Sequence, residues 1–119
     1  MANKLIYQVN TIDPLVGTRS KLYEWCIDSV KKYCEKYDID HIVQTEPILK
    51  IGPLNWQNSN RSENCRKRGF LPIYEKENAF AYFDRYDQIA IIDSDIYIHD
   101  HAPNIFKAIN PSSDFAGVI

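Results

Sequence analysis

Apolar positions along the 119-residue chain fall into two rhythms, one of strands and one of helices. In "KLIYQVN", Lys4 to Asn10, the residues Leu5, Ile6, Tyr7 and Val9 crowd together as in a short buried strand. The next stretch, "TIDPLVGT", carries Pro14 and Gly17 and reads as loop. Leu22, Cys26, Val30, Tyr33 and Tyr37 then recur at helical spacing, with Asp28, Lys31, Lys32 and Glu35 elsewhere on the wheel and Ser20 placed as N-cap. "DHIVQTE", Asp40 to Glu46, predicts a second strand ended by Pro47. Strand, helix and strand in this order predict the start of an α/β fold with a parallel sheet.

The pattern lapses between Gly52 and Gly69, a polar stretch holding Arg61, Arg66, Lys67 and Arg68. So long an irregular segment is uncommon in a compact domain; it serves either as a solvated loop or as a lid over a ligand. A helix is expected over "PIYEKENAFAYFDRYD", with Pro72 in its first turn and Ala79, Phe80 and Phe83 as its apolar stripe. Lys76 lies one turn before Phe80 and so is expected on the core-facing side. Next come a strand at "QIAIID", a short extension at "DIYIHD", a helix around "APNIFKAI" with Pro103 near its start, and a last strand at "DFAGVI". That last strand has no cover of its own. The pattern therefore reads as the first half of something larger, or as a reduced domain that covers the strand by self-association.

Composition narrows the class. Hydrophobic residues make up 45% and charged residues 25%, with eight Tyr, five Phe and two Trp, which describes a globular chain rather than a disordered one. A formal net charge of −2 offers no global field for nucleic acid or anionic membrane. No apolar run approaches membrane-spanning length. Cys26, Cys34 and Cys65 match no zinc spacing and read as reduced thiols of a cytoplasmic protein.

Chemistry concentrates in "QIAIIDSDIYIHDHAP", Gln88 to Pro103. If the chain stays extended through Asp93 and Asp95, their carboxylates share one face at the strand's carboxyl end, the edge at which open α/β sheets bind ligands. Two neighbouring carboxylates repel unless a cation lies between them, and oxygen-only donors suit magnesium, manganese or calcium. An EF-hand loop is excluded, because Tyr97 and Ile98 stand where it needs an oxygen ligand and a glycine. A haloacid-dehalogenase-like phosphatase places its Asp-x-Asp near the start of the chain, and too little sequence follows Asp95 for its remaining motifs. His99 and His101 flank Asp100; they read as a polar exit from the strand and a cap for the next helix rather than as ligands. His41, at the start of a strand, reads as structural.

"YDQIAIIDSDIYIHDHAPNIF" resembles the Asp-x-Asp region of nucleotide-sugar glycosyltransferases of the GT-A fold, in particular the glycogenin-like and lipopolysaccharide-galactosyltransferase-like group. In those enzymes a short apolar segment after the aspartates leads to a helix with a Leu/Ile-Phe pair, here Ile105 and Phe106. The resemblance is specific at the Asp-x-Asp segment and topological elsewhere. It implies a Rossmann-like, mostly parallel sheet flanked by helices, truncated, with residues 1–119 forming a single nucleotide-sugar-binding domain at the N-terminal end of a longer enzyme. It implies a metal-dependent hexosyltransferase, with Mn2+ or Mg2+ held by Asp93 and Asp95 and a nucleotide-diphosphate sugar, foremost a UDP-sugar, as donor to a saccharide or other acceptor. The donor would be bound by Val9, Asn10, Thr11, Glu46, Lys76, Asn78, Asp93 and Ser94: the end of the first strand along the nucleoside, Glu46 toward base or ribose, and Lys76 toward the phosphates. The family's later half supplies the acceptor site and often a metal-binding histidine, and no residue here matches an acceptor base. Two other readings stand beside it: a non-catalytic α/β module that binds a nucleotide or partner, and another metal-dependent phosphate-handling enzyme.

Overall fold

The computed structural model describes residues 3–11, 21–48, 72–110, 112 and 116. Chain order is strand β1 (Lys4–Val9), helix α1 (Lys21–Tyr37), strand β2 (Asp40–Gln44), helix α2 (Pro72–Glu75) running into a 3-10 helix (Lys76–Tyr82), strand β3 (Gln88–Ile91) and helix α3 (Ile105–Ala108). The sheet is parallel, in the order β2-β1-β3. Tyr7 of β1 lies opposite Ile42 on one side and Ile91 on the other. An α/β fold is thus formed, with β1 at its centre. Ser20, Cys65, the basic stretch 52–69 and, Ala116 apart, the strand expected at "DFAGVI" lie outside the described residues. Among the described residues no helix is long and apolar enough to cross a membrane.

Alternation along β1 sends its side chains to two cores. Ile6 packs with Val30, Tyr33 and Cys34 of α1, with Ile39, and with Phe106 of α3. Leu5, Tyr7 and Val9 pack on the opposite face with Ala79 of the 3-10 helix. Leu5 and Ile6 are fully buried, and each such side chain contributes about 1.5–3 kcal/mol. Helices therefore cover both faces, α1 on one and the 3-10 helix on the other. The chain adds β2 on one side of β1, then crosses back to add β3 on the other.

The helix α1 follows the expected stripe from Cys26 onward, but Leu22 is exposed. At its far end Asp38 takes a left-handed conformation (φ 56°), and the Ile39 N–H donates to Cys34 O at 2.9 Å. This is a Schellman stop, and its usual apolar contact is the packing of Ile39 with Cys34.

The region after Pro72 departs from the expected α-helix. From Lys76 it winds with three residues per turn, so positions i and i+3 align. Lys76, Ala79 and Tyr82 then share the inner side, where Ala79 is buried and Tyr82 packs on the β1 core. Phe80 and Phe83, expected in the stripe, are more than half exposed and meet each other at 5.0 Å between ring centroids. Lys76 aligns with Ala79, not with Phe80, and its amine comes to the surface at Asp93.

The "DIYIHD" extension is not a strand. From Tyr97 to Ile105 the chain has no ladder, and side chains of α1 satisfy its backbone instead. Ser29 Oγ accepts the Ile98 N–H at 2.9 Å, Lys36 Nζ donates to Asp100 O at 3.1 Å, and the Tyr37 hydroxyl donates to Ala102 O at 2.9 Å. The Tyr33 hydroxyl donates to Pro103 O at 2.7 Å and accepts the Ile105 N–H at 2.8 Å. Tyr97 stacks on Trp25 at 4.2 Å. The cap expected from the His99–His101 stretch is supplied by Asn104 instead. Its Oδ1 accepts the Phe106 N–H at 3.0 Å, which makes it the N-cap of α3.

Candidate functional site

Asp93, Ser94 and Asp95 sit just beyond the carboxyl end of β3, beside the carboxyl end of β1. The ladder between the two strands closes with the Ile92 N–H on Tyr7 O at 3.1 Å. Beyond it the chain turns, and the Ile96 N–H donates to Asp93 O at 3.3 Å. Asp and Ser favour such a turn, because their side chains can bond nearby backbone. The next ladder acceptor, Val9 O, receives the Ser94 hydroxyl. The sequence expectation of an extended Asp93–Asp95 segment, with His99 continuing its face, is therefore corrected. The aspartates occupy a four-residue turn, and both are exposed.

Lys76 reaches this turn and pairs with Asp93 Oδ1. Its side chain is 34% exposed and that of Asp93 is 56% exposed, so the pair sits at the surface. Such pairs are worth roughly 0–1 kcal/mol, which leaves both partners available to a ligand. Lys76 and Asp93, 17 residues apart in sequence, are thus brought together.

Behind the turn lies Gln8, fully buried on the α1 face of β1. Its Nε2 donates to Asp93 O at 3.3 Å, and its Oε1 meets His41 Nε2 at 2.7 Å. Asp93 O can only accept, so the amide must turn its NH2 that way and its oxygen toward His41. His41 therefore carries its proton on Nε2. Burial, and then the nearby Lys31, hold His41 below the ordinary histidine pKa.

A second polar cluster lies on the opposite face, where the ends of β1 and β2 meet α2. Gln44, the last residue of β2, satisfies its whole amide. Its Oε1 accepts the Tyr7 hydroxyl at 2.5 Å and Asn78 Nδ2 at 2.9 Å. Its Nε2 donates to Glu75 Oε2 at 2.7 Å and Glu46 O at 2.8 Å. Glu75 is fully buried, and its Oε2 also accepts Asn78 Nδ2 at 2.7 Å and the Ile48 N–H at 2.9 Å. Burial, then Tyr82 and Glu75, raise the Tyr7 pKa, which keeps its hydroxyl a donor.

The sequence candidates are thus gathered at one edge in different ways. Val9 meets Ser94, and Lys76 meets Asp93. Asn10 is buried, and its N–H extends the ladder by bonding Gln44 O at 2.8 Å. Thr11 follows, half-buried. Glu46 is exposed at this edge and contributes its backbone oxygen to Gln44. Asn78 commits its amide nitrogen to Gln44 and Glu75, which binds it into the scaffold. His99 and His101 neighbour each other, exposed, at 5.2 Å between rings. Gln8, Gln44 and Glu75 are members of the site that the sequence pattern does not single out. A polar residue inside an apolar run, as in "LIYQV", is the one available signal for Gln8.

Asp93, paired with Lys76, and Asp95 are the exposed carboxylates of this turn. Among the described residues no group of three or more His, Cys, Asp or Glu gathers to hold a metal by itself. Compared with known proteins, the chain matches no family model, no curated relative and no solved structure.

Proposed function

We propose that this chain is the donor-binding part of a metal-dependent glycosyltransferase that uses a nucleotide-diphosphate sugar, and that its α/β sheet is of the Rossmann-like GT-A type. The observation that carries this reading is the position of the Asp93–Asp95 turn. It lies where sheet growth reverses, between the carboxyl ends of β1 and β3, and ligands of open parallel sheets bind in that crevice.

In this reading Asp95 and Asp93 would hold Mn2+ or Mg2+, which would stabilise negative charge on a leaving diphosphate. Lys76 moves from Asp93 toward the phosphate oxygens and adds a fixed positive charge there. Val9, Asn10 and Thr11 line the nucleoside, Ser94 holds the turn against Val9, and Glu46 faces the base or ribose. The buried cluster of Gln44, Glu75 and Asn78 holds the start of the 3-10 helix and so places Lys76.

Calorimetric titration of UDP into the protein, with and without Mn2+, tests this on wild type and Asp95→Ala. Binding is expected only with Mn2+ and is expected to vanish in the variant. Equal binding by both proteins would sink the metal-site reading.

A further inference from the structure

We propose that Gln8, locked by His41, is the positioning residue of the Asp93–Asp95 turn. The inference rests on the reading of that turn as a metal site, but its geometry stands separately. Asp93 O has two lone pairs and takes two donors. One is the Ile96 N–H that closes the turn, and the other is Gln8 Nε2. Gln8 thus grips the same oxygen that closes the turn, from beneath, inside the sheet. A polar side chain with no exposure is costly unless each of its groups is paired. Both ends of Gln8 are paired, across three strands: His41 on β2, Gln8 on β1, and Asp93 just past β3.

The direction of each bond is forced. The Asp93 carbonyl dictates where the Gln8 NH2 points, and the Gln8 oxygen then dictates the His41 tautomer. A free amide in that place could rotate by half a turn and set oxygen against oxygen. As the Nε2–H tautomer, His41 donates to the Gln8 oxygen and so favours the orientation that meets Asp93 O. The side chains of Asp93 and Asp95 take no part in the relay, so it fixes the turn through its backbone and not through its carboxylates. Supporting bonds of this kind behind metal ligands tune affinity by roughly 10–100-fold.

The test uses the metal-free and Mn2+-titrated protein, in wild type, Gln8→Met, Gln8→Glu and His41→Phe. Methionine fills the Gln8 space without either bond. Glutamate keeps the acceptor toward His41 but sets an oxygen against Asp93 O. Nitrogen NMR of wild type is expected to show neutral His41 as the Nε2–H tautomer. Hydrogen exchange at the Ile96 amide is expected to speed about tenfold or more in Gln8→Met and Gln8→Glu, relative to core amides of the same variant, and by less in His41→Phe. Mn2+ affinity is expected to fall about tenfold or more in both Gln8 variants.

Unchanged Ile96 exchange relative to core amides in the Gln8 variants overturns the positioning role, as does an Nδ1–H tautomer of His41. If wild type binds no Mn2+ while the exchange pattern holds, the metal reading fails and the positioning of the turn stands. Should the Gln8 variants not fold, the tautomer and His41→Phe exchange decide, with unchanged Ile96 exchange in that variant counting against the proposal.

Discussion

Glu75 shows how much can depend on one atom. Its Oε2 receives Gln44 Nε2, Asn78 Nδ2 and the Ile48 N–H, all with the carboxylate fully buried. Replacing it with alanine leaves those donors facing a cavity. An unsatisfied buried donor costs about 1–3 kcal/mol, so Glu75→Ala is expected to lose roughly 3 kcal/mol or more. Urea unfolding measures this; a loss within ~0.5 kcal/mol would show that water replaces the carboxylate without penalty. His41 makes a pH-dependent prediction. Its pKa is lowered in the folded state, by burial first and Lys31 second. The unfolded histidine takes up a proton near pH ~6.5, while the folded one resists it until lower pH. Stability therefore falls as pH drops below ~6.5, and the loss is complete once pH passes the folded value. The difference in urea midpoint between wild type and His41→Gln is expected to shift against wild type from about pH 8 to about pH 5. A difference that stays constant over that range would show that His41 does not titrate differently on folding.

At the scale of elements, strong periodicity is legible in the sequence and local winding is not. The run from Leu5 to Val9 and the stripe from Cys26 to Tyr37 announce β1 and α1, because each buries a face whose period only one element can satisfy. The 3-10 winding of Lys76–Tyr82 is not legible. Ala79, Phe80 and Phe83 fit an α-helical stripe, and what selects Ala79 for the inside is its packing against Leu5, Tyr7 and Val9, a tertiary fact. The end of β3 escapes a local reading for a related reason. "IIDSDIYI" alternates well enough for a strand, but Gln8 and the Ser29, Tyr33 and Tyr37 side chains offer partners for a turn and a non-ladder path. Those partners lie 65 or more residues away in sequence, beyond any local pattern. The location of the candidate site is legible, since carboxylates after an apolar run mark the carboxyl edge of a parallel sheet. Its supporting polar cluster is not, because Gln44 and Glu75 acquire meaning only once β2 and α2 are adjacent.

At the scale of the whole molecule, the sheet among the described residues has one strand paired on both sides and two paired on one. In β1 the bonds alternate in direction: the Asn10 N–H reaches β2, whereas Tyr7 O and Val9 O face the β3 side. Every β1 amide therefore points at a neighbouring strand. In β3 the Ile92 N–H points back at Tyr7, so by alternation Ile89 and Ile91 direct their N–H groups to the outer edge. Ile91 is 42% exposed, which agrees with an outer flank left open by the described residues. Protection should follow this geometry. Amides from Leu5 to Val9 are expected to exchange only through global unfolding, as are Ala90 and Ile92 to within about tenfold, whereas Ile89 and Ile91 exchange orders of magnitude faster. Hydrogen exchange followed by NMR at low micromolar concentration reads each amide separately. Equal slowness across Gln88–Ile92 would mean that another strand pairs with this edge, and the candidate site would then lie between two neighbours rather than at an open margin. The same measurement at rising concentration identifies the cover: protection that grows with concentration comes from a second copy of the chain, and protection that does not comes from within it.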